Sequence, residues 1–389
     1  MKNYVILRRP VSRPARRGQQ PGAEMLSAER GGATITIERI PEKAVTELKS
    51  DPSVVWATPT MPTRLIHPFG AASVAENVNW GISAVGADIT PYTGAGVVVS
   101  ILDTGIDKTH PAFAGMQLVE KDFSGDGIGD RQGHGTHCAG TVFGRDVASQ
   151  RIGVAPGVSK ALIGKVLKDD GSGSSEMVFE GLQWAMRERA NIVSMSLGFD
   201  FPGMVTSMTE DGWPIDLATS TALEAYRGNL RMFDAIMAMF KAQAAFGGSP
   251  LVIAAAGNES RRSQNAEYRI AASLPAAADD VISVAAIGKE GEIYFVADFS
   301  NSLAMVAGPG VAITSAWPGG GLHTISGTSM ACPHVAGVAA LWWEAVTAGG
   351  AGANAKSVLA KLLANAGRGG FGAGATQADI GQGLVVAPR

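Results

Sequence analysis

The chain has 389 residues, enough for one large α/β unit or for two or three average domains. A formal net charge of −3, with 17% charged residues, argues against a general binder of nucleic acid or anionic membrane. No run approaches the roughly 18 uninterrupted apolar residues of a spanning helix. The 50 glycines, nearly twice the ordinary share of about 7%, point to many tight turns and close backbone approaches.

The start, Met1-Lys2-Asn3-Tyr4-Val5-Ile6-Leu7-Arg8-Arg9-Pro10, lacks the apolar core of a secretory signal. Arg8-Arg9 suggests a twin-arginine signal, but the residues after it are basic, polar and proline-rich. Two cysteines, Cys138 and Cys332, cannot build a disulfide framework, so a reducing, cytoplasmic setting is the expectation.

The first 20 residues hold six Lys/Arg and no acid, which reads as a solvated arm. Residues 33–40 alternate as a half-buried strand does, 41–48 read as a short helix with Pro41 in its first turn, and 54–59 read as a strand. With 4–7 they predict a small separate α+β unit ending near residue 65. From about residue 76 nearly continuous apolar runs follow, at 97–102, 162–166, 192–195, 251–255 and 281–286. Helical patterns separate them, at 174–189 (Val178, Leu182 and Ala185 on one face) and at 218–246 (Leu223, Leu230, Phe233, Met237 and Phe240). This alternation predicts an α/β fold with a doubly wound, mostly parallel sheet. The stretch 200–216, with Trp213 and Pro214, reads either as a lid beside a cleft or as a surface loop. Residues 349–374, rich in Gly and Ala around a helix at 356–364, read as a C-terminal cap.

In open α/β sheets, reactive groups gather outside the carboxyl ends of strands. Asp103 follows the first apolar run, in Leu102-Asp103-Thr104-Gly105-Ile106-Asp107. Asn258 ends another, in Ala256-Gly257-Asn258-Glu259. Gly133-His134-Gly135-Thr136-His137-Cys138 and Ser326-Gly327-Thr328-Ser329-Met330-Ala331 each open a helix. A serine hydroxyl is a weak nucleophile until a base takes its proton, and a buried carboxylate can orient that base. Asp103, His134 and Ser329 supply the three groups. The Asn258 amide and the Ser329 N–H can bind an oxyanion at a positive helix end.

These four motifs, in the order Asp, His, Asn, Ser, closely resemble the subtilase family of serine peptidases. The resemblance covers about residues 76–345 densely and 1–70 loosely. It implies a serine endopeptidase acting on peptide or protein substrates, with Asp103, His134 and Ser329 as triad and Asn258 as oxyanion donor. It also implies that Gly171-Ser172-Gly173 and Ser196-Leu197-Gly198 are the two edges that pair with extended substrate. A pocket bounded by 196–198, 255–258 and a segment near Ser273 would then take an apolar or broad P1 residue. By the same likeness, residues 1–70 are a basic arm and inhibitor-like prodomain, and 76–389 the catalytic domain. The stretch Leu65-Ile66-His67-Pro68-Phe69-Gly70 would cross the active site, so the N-terminal segment is itself an expected inhibitory partner, cut away between about 65 and 80.

No cofactor is implied for catalysis, and structural calcium is left open, with Asp107, Asp122, Asp126 and Asp130 as loose candidates. The usual family partner of Asp107 is replaced here by Ala112. His134, His137 and Cys138 share a helix face but lack a His-Glu-x-x-His pattern, so no metal set is assigned. Both cysteines, His137 and His334 read as packed core residues. An α/β-hydrolase is disfavoured by the chain order and by Gly327-Thr328-Ser329-Met330-Ala331, which lacks the second glycine of Gly-x-Ser-x-Gly.

Overall fold

A computed structural model describes residues 2–9, 34–41, 44–70, 79–350 and 352–389. Most of the expected basic arm, residues 42 and 43 of the helix at 41–48 and half of the expected cleavage region (71–78) lie outside the described residues.

The chain forms two compact units, one of Met1–Pro62 with Asp200–Met239, the other of Thr63–Phe199 with Phe240–Arg389. In the first, the strand Lys2–Arg8 lies between Thr34–Ile40 and Val54–Pro59, antiparallel to both. Tyr4, Val5, Ile6 and Leu7 are buried, and Arg8 ties the sheet together through Glu38 (3.1 Å) and Asp51 (2.8 Å). The helix Ile215–Gly247 meets this sheet through Gly228, where any Cβ would strike Thr58 Oγ1. The Trp56 indole N–H donates to Gly228 O at 2.9 Å.

The stretch 200–216 is not a plain loop. It contains the helix Phe201–Glu210, capped by Asp200 Oδ1, which accepts from Gly203 N at 2.9 Å, with Pro202 in its first turn. Its Gly, Ser and Thr content hid it from a propensity reading.

The second unit holds an eight-stranded sheet. Its path runs Ile293–Val296, Val281–Glu290, Leu251–Ala255, Ile192–Met195, Val98–Asp103, Lys160–Lys165, Gln117–Asp122, with Val306–Pro309 also on Val281–Glu290. All pairs are parallel except Ile293–Val296 on Val281–Glu290. The doubly wound, mostly parallel α/β reading therefore holds. From Val98–Asp103 the chain winds to one edge and then returns to wind the other way from Ile192–Met195. The carboxyl ends of those two neighbours form the switch point where such sheets bind ligands. The strand Gln117–Asp122 and the hairpin Ile313–Trp317 with Gly321–Ser326 escaped the sequence reading, because strands interrupted by Ser, Thr, His and charged residues lack a continuous apolar run.

Two buried helices cover the sheet close to this point, His134–Phe143 and Thr328–Ala348. Their small residues permit a short approach: a Cβ on Gly140 would lie 2.5 Å from Ser315 Oγ and 2.9 Å from Ala316 Cβ. Gly140→Ala should therefore lower stability by about 1–3 kcal/mol through overpacking, read as a lower urea midpoint at unchanged m-value.

Candidate active site

Asp103 is the last residue of the strand Val98–Asp103 and is buried. Its Oδ1 accepts from Thr104 N at 2.8 Å and lies 2.8 Å from His134 Nδ1. His134 opens the helix His134–Phe143 after Gly133, whose φ of 100° suits glycine; a Cβ there would meet the Trp317 ring at 2.5 Å.

Asp130 welds this helix start to the strand end. Its Oδ1 accepts from Thr104 Oγ1 (2.9 Å), Gln132 N (3.1 Å) and Gly133 N (2.8 Å). Its Oδ2 accepts from Thr136 N (2.8 Å) and Thr136 Oγ1 (2.7 Å). Thr104 Oγ1 in turn accepts from Gly135 N at 2.9 Å. A carboxylate at a helix N-terminus faces the positive end of its dipole. Sequence reasoning noticed Asp130 only as a loose calcium candidate. The available signal was an acid just ahead of a helix start, the pattern of a capping residue.

Ser329 is the second residue of the helix Thr328–Ala348. Its Oγ lies 3.4 Å from Ser196 O and 3.4 Å from Ile66 O. Asn258 stands beside it, and its orientation is set: Oδ1 accepts from Thr328 N (2.9 Å) and Thr328 Oγ1 (2.8 Å). That leaves Nδ2 as the outward donor, and it reaches His67 O at 3.1 Å. Thr328 went unnoticed in the sequence, where a hydroxyl next to a nucleophile carries no signal of its own.

The two expected edge segments flank one strand. Pro62–Leu65 pairs antiparallel with Leu197–Phe199, in the register Leu197↔Leu65, Gly198↔Arg64 and Phe199↔Thr63. On its other side lies Ser172–Ser174, and Leu65 N donates to Gly171 O at 2.8 Å. Ser196 precedes the paired edge, and its Oγ donates to Ser329 O at 3.0 Å. The Ile66 side chain fills the space over Gly198, where a Cβ would meet Ile66 Cγ1 at 3.4 Å and Ser273 Oγ at 3.9 Å. Beyond Pro68 the chain pairs again, Ser326↔Phe69 and Ile325↔Gly70, and the Phe69 ring stacks on Phe299 at 4.8 Å. The chain at 63–70 thus passes directly over Ser329.

The subtilase family model matches residues 94–383. Subtilisin NAT of Bacillus subtilis subsp. natto is 32% identical over 306 residues, 77% of this chain and 68% of that protein. Subtilisin E of Bacillus subtilis (strain 168) matches to the same extent. Subtilisin-like protease 6 of Trichophyton rubrum is 35% identical over 303 residues, 75% of this chain and 62% of its own. The chain belongs to the subtilase family. It is a subtilisin-like serine peptidase, and peptides or proteins are its substrates.

Within this subtilase both thiols are buried. Burial pushes the Cys332 thiol up to about 11. Burial first, then the nearby Asp103 carboxylate, pushes the Cys138 thiol well above its ordinary range. Neither thiol is therefore suited to act as a thiolate nucleophile near neutral pH. Cys138 Sγ lies 3.8 Å from His134 Nδ1 and donates to Ser329 O at 3.4 Å, packing against both halves of the site. Among the described residues the one His, Cys, Asp or Glu group close enough to share an ion is Asp103, His134 and Cys138. Asp107, Asp122, Asp126 and Asp130 do not gather into one cage. Asp107 takes Thr109 N, Thr109 Oγ1 and Gly319 N, and Asp122 takes Ser124, Gly125 and Gly127 amides. Asp126 accepts from Asp169 N.

His137 is buried with Nε2 facing Ile313 O (3.1 Å) and His323 O (3.2 Å). Burial, then repulsion from His134, lowers its pKa to about 3. His334 contacts Met330 O through Nδ1 at 2.8 Å, and burial lowers its pKa to about 4. A histidine free of the fold titrates near 6.5. Above that pH neither state of His334 is charged and its contribution is full. As pH falls toward 4 the unfolded chain binds a proton that the fold refuses, so stability drops. In a Ser329→Ala background, which prevents self-digestion, adding His334→Gln should reduce the stability lost between pH 7 and pH 4.5 by on the order of 2 kcal/mol. Urea unfolding at the two pH values measures this, and an unchanged loss would remove His334 from the acid limb.

Proposed function

We infer that this subtilase is an endopeptidase that works through an acyl-enzyme on Ser329, and that it is made as a precursor held inactive by its own residues 63–70. Supporting the first part is the convergence of Asp103, His134, Ser329 and Asn258 at the switch point of the sheet. His134 Nδ1 is engaged by Asp103, while the buried Nε2 has no hydrogen-bond partner and is the nitrogen left to act as base. In the reaction, Nε2 takes the Ser329 Oγ proton as Oγ bonds to the substrate carbonyl carbon. The carbonyl becomes an oxyanion bound by Asn258 Nδ2 and the Ser329 N–H. His134 then returns the proton to the departing amine. Water, deprotonated by the same imidazole, releases the acid and restores Ser329.

The observation that carries the second part is the split use of two carbonyls. A productive substrate would present one carbonyl to both Ser329 Oγ and Asn258 Nδ2. Here Ile66 O faces the hydroxyl while His67 O takes the Asn258 donor. Neither bond is therefore set up for attack, although the strand before it is paired as a substrate would be. Pro68 adds a residue without an N–H at the next step. Since Ile66 occupies the pocket over Gly198, an apolar P1 residue is the preference that follows.

Ser329→Ala should lose at least roughly 10⁴-fold in peptide hydrolysis, and Asn258→Ala roughly 100- to 1,000-fold in kcat at similar KM. Equal activity of wild type and Ser329→Ala would refute the acyl-enzyme. For the precursor, intact mass and N-terminal sequencing should find wild type beginning between residues 65 and 80, and Ser329→Ala uncut. Hydrolysis of a peptide anilide should rise as the leader is lost. If uncut wild type turns over that peptide as fast as the cut form, residues 63–70 are no inhibitor.

A further inference from the structure

Asn301 touches none of the atoms that would react, yet it is fully buried and both ends of its side chain are spent on the turn that carries Asn258. Its Oδ1 accepts from Glu259 N (3.1 Å), Ser260 N (3.1 Å) and Ser260 Oγ (3.2 Å). Its Nδ2 donates to Ala256 O (3.1 Å) and Glu259 Oε2 (2.7 Å), and its backbone N–H to Gly257 O at 3.0 Å. These partners bracket Asn258 on both sides along the chain. Gly257 has φ 113°, and a Cβ there would run into Asn301 Nδ2, so turn and side chain are fitted to each other.

We propose that Asn301 is a positioning residue that sets where the Asn258 amide points, and through it the rate of acyl transfer. This rests on the reading of Asn258 as oxyanion donor. Such a donor works only within about 2.7–3.1 Å of the place the oxyanion will occupy. Thr328 holds the Asn258 side chain and, through Oγ1, the Gly257 N–H at 3.2 Å. Asn301 fixes the rest of the turn backbone, gripping residues 256, 257, 259 and 260 at once. A small displacement of this turn weakens the transition state while leaving the strand-pairing edges, and hence substrate binding, in place.

Asn301→Asp keeps the size and the acceptor for the Glu259 and Ser260 amides. It replaces the Nδ2 donor with an oxygen facing Ala256 O and the Glu259 carboxylate, which repels the turn. The test is a double-substitution cycle on the full chain with Asn258→Ala, with rates referred to reactive serines counted by sulfonyl fluoride titration. Asn301→Asp is expected to lower kcat by roughly 10-fold or more with KM changed less than about twofold. In the Asn258→Ala background the same substitution should cost less than about threefold, because the group it acts through is gone. Equal costs in both backgrounds, or a rise in KM at unchanged kcat, would mean that Asn301 serves general structure and would overturn the proposal. If Asn258→Ala alone costs nothing, the oxyanion reading fails and the positioning role falls with it. Should Asn301→Asp not fold, Asn301→Ser, which loses both Nδ2 bonds but retains an acceptor, goes through the same cycle with the same criteria.

Discussion

The site depends on a dry contact, Asp103 Oδ1 against His134 Nδ1 at 2.8 Å, between two fully buried side chains. Taking a carboxylate and an imidazole out of water costs several kcal/mol unless hydrogen bonds replace the lost hydration. The fold supplies one such bond to the pair directly, leaves Asp103 Oδ2 without a partner among the described residues, and fixes the elements that carry the two side chains. Thr104 N donates to Asp103, Asp130 and Thr104 hold the start of the helix His134–Phe143, and Lys165 ties down the turn after Asp103. The Lys165 Nζ reaches Thr104 O (2.7 Å), Gly129 O (3.2 Å) and Asp169 Oδ1 (2.6 Å) from a buried position in register with Asp103. Three loops thus converge on one lysine, and the geometry of the Asp–His pair follows from theirs.

The two helices that bring His134 and Ser329 together are built of small residues for a steric reason. Gly140 presses on Ser315 and Ala316, and at Gly337 a Cβ would meet Val154 Cβ at 2.5 Å. Larger residues would push the helix N-termini away from the strand ends, and with them the histidine and the serine. The same arrangement aims the N-terminal end of the helix Thr328–Ala348 at the place where negative charge would develop. The abundance of glycine and alanine is in this sense a requirement of the site as well as of the turns.

Over this centre the chain at 63–70 uses backbone pairing on both of its edges. Such pairing reads no side chains, so it accepts the protein's own strand as readily as an extended peptide. In the proposed precursor, what separates the two is fine register: a carbonyl that faces Ser329 Oγ and another that takes the Asn258 amide, rather than one carbonyl meeting both.

Much of this was legible without coordinates. Buried parallel strands must be apolar along their whole length, so Val98–Asp103, Ile192–Met195 and Leu251–Ala255 announced themselves, and with them the α/β class. Asp103 and Asn258 stood out because polar residues at the ends of such runs need a reason to be there, and His134 and Ser329 because their glycine-bearing motifs open helices. The two glycine- and serine-bearing edges and the crossing stretch came from family likeness, since edges of this kind have no periodicity to read. Only tertiary structure could decide the rest. Thr328 and Asn301 act on residues brought near by folding, 70 and 41 or more positions away, and Asp130, whose capping of residues 132–136 is local, meets Thr104 26 positions away only in the fold. Nothing local in a hydroxyl or an amide reveals which distant backbone it will hold. The sequence by itself determined which groups could do the chemistry, because composition and periodicity are local properties. Their distances and register belong to contacts between segments far apart in the chain, and those exist only once the chain has packed.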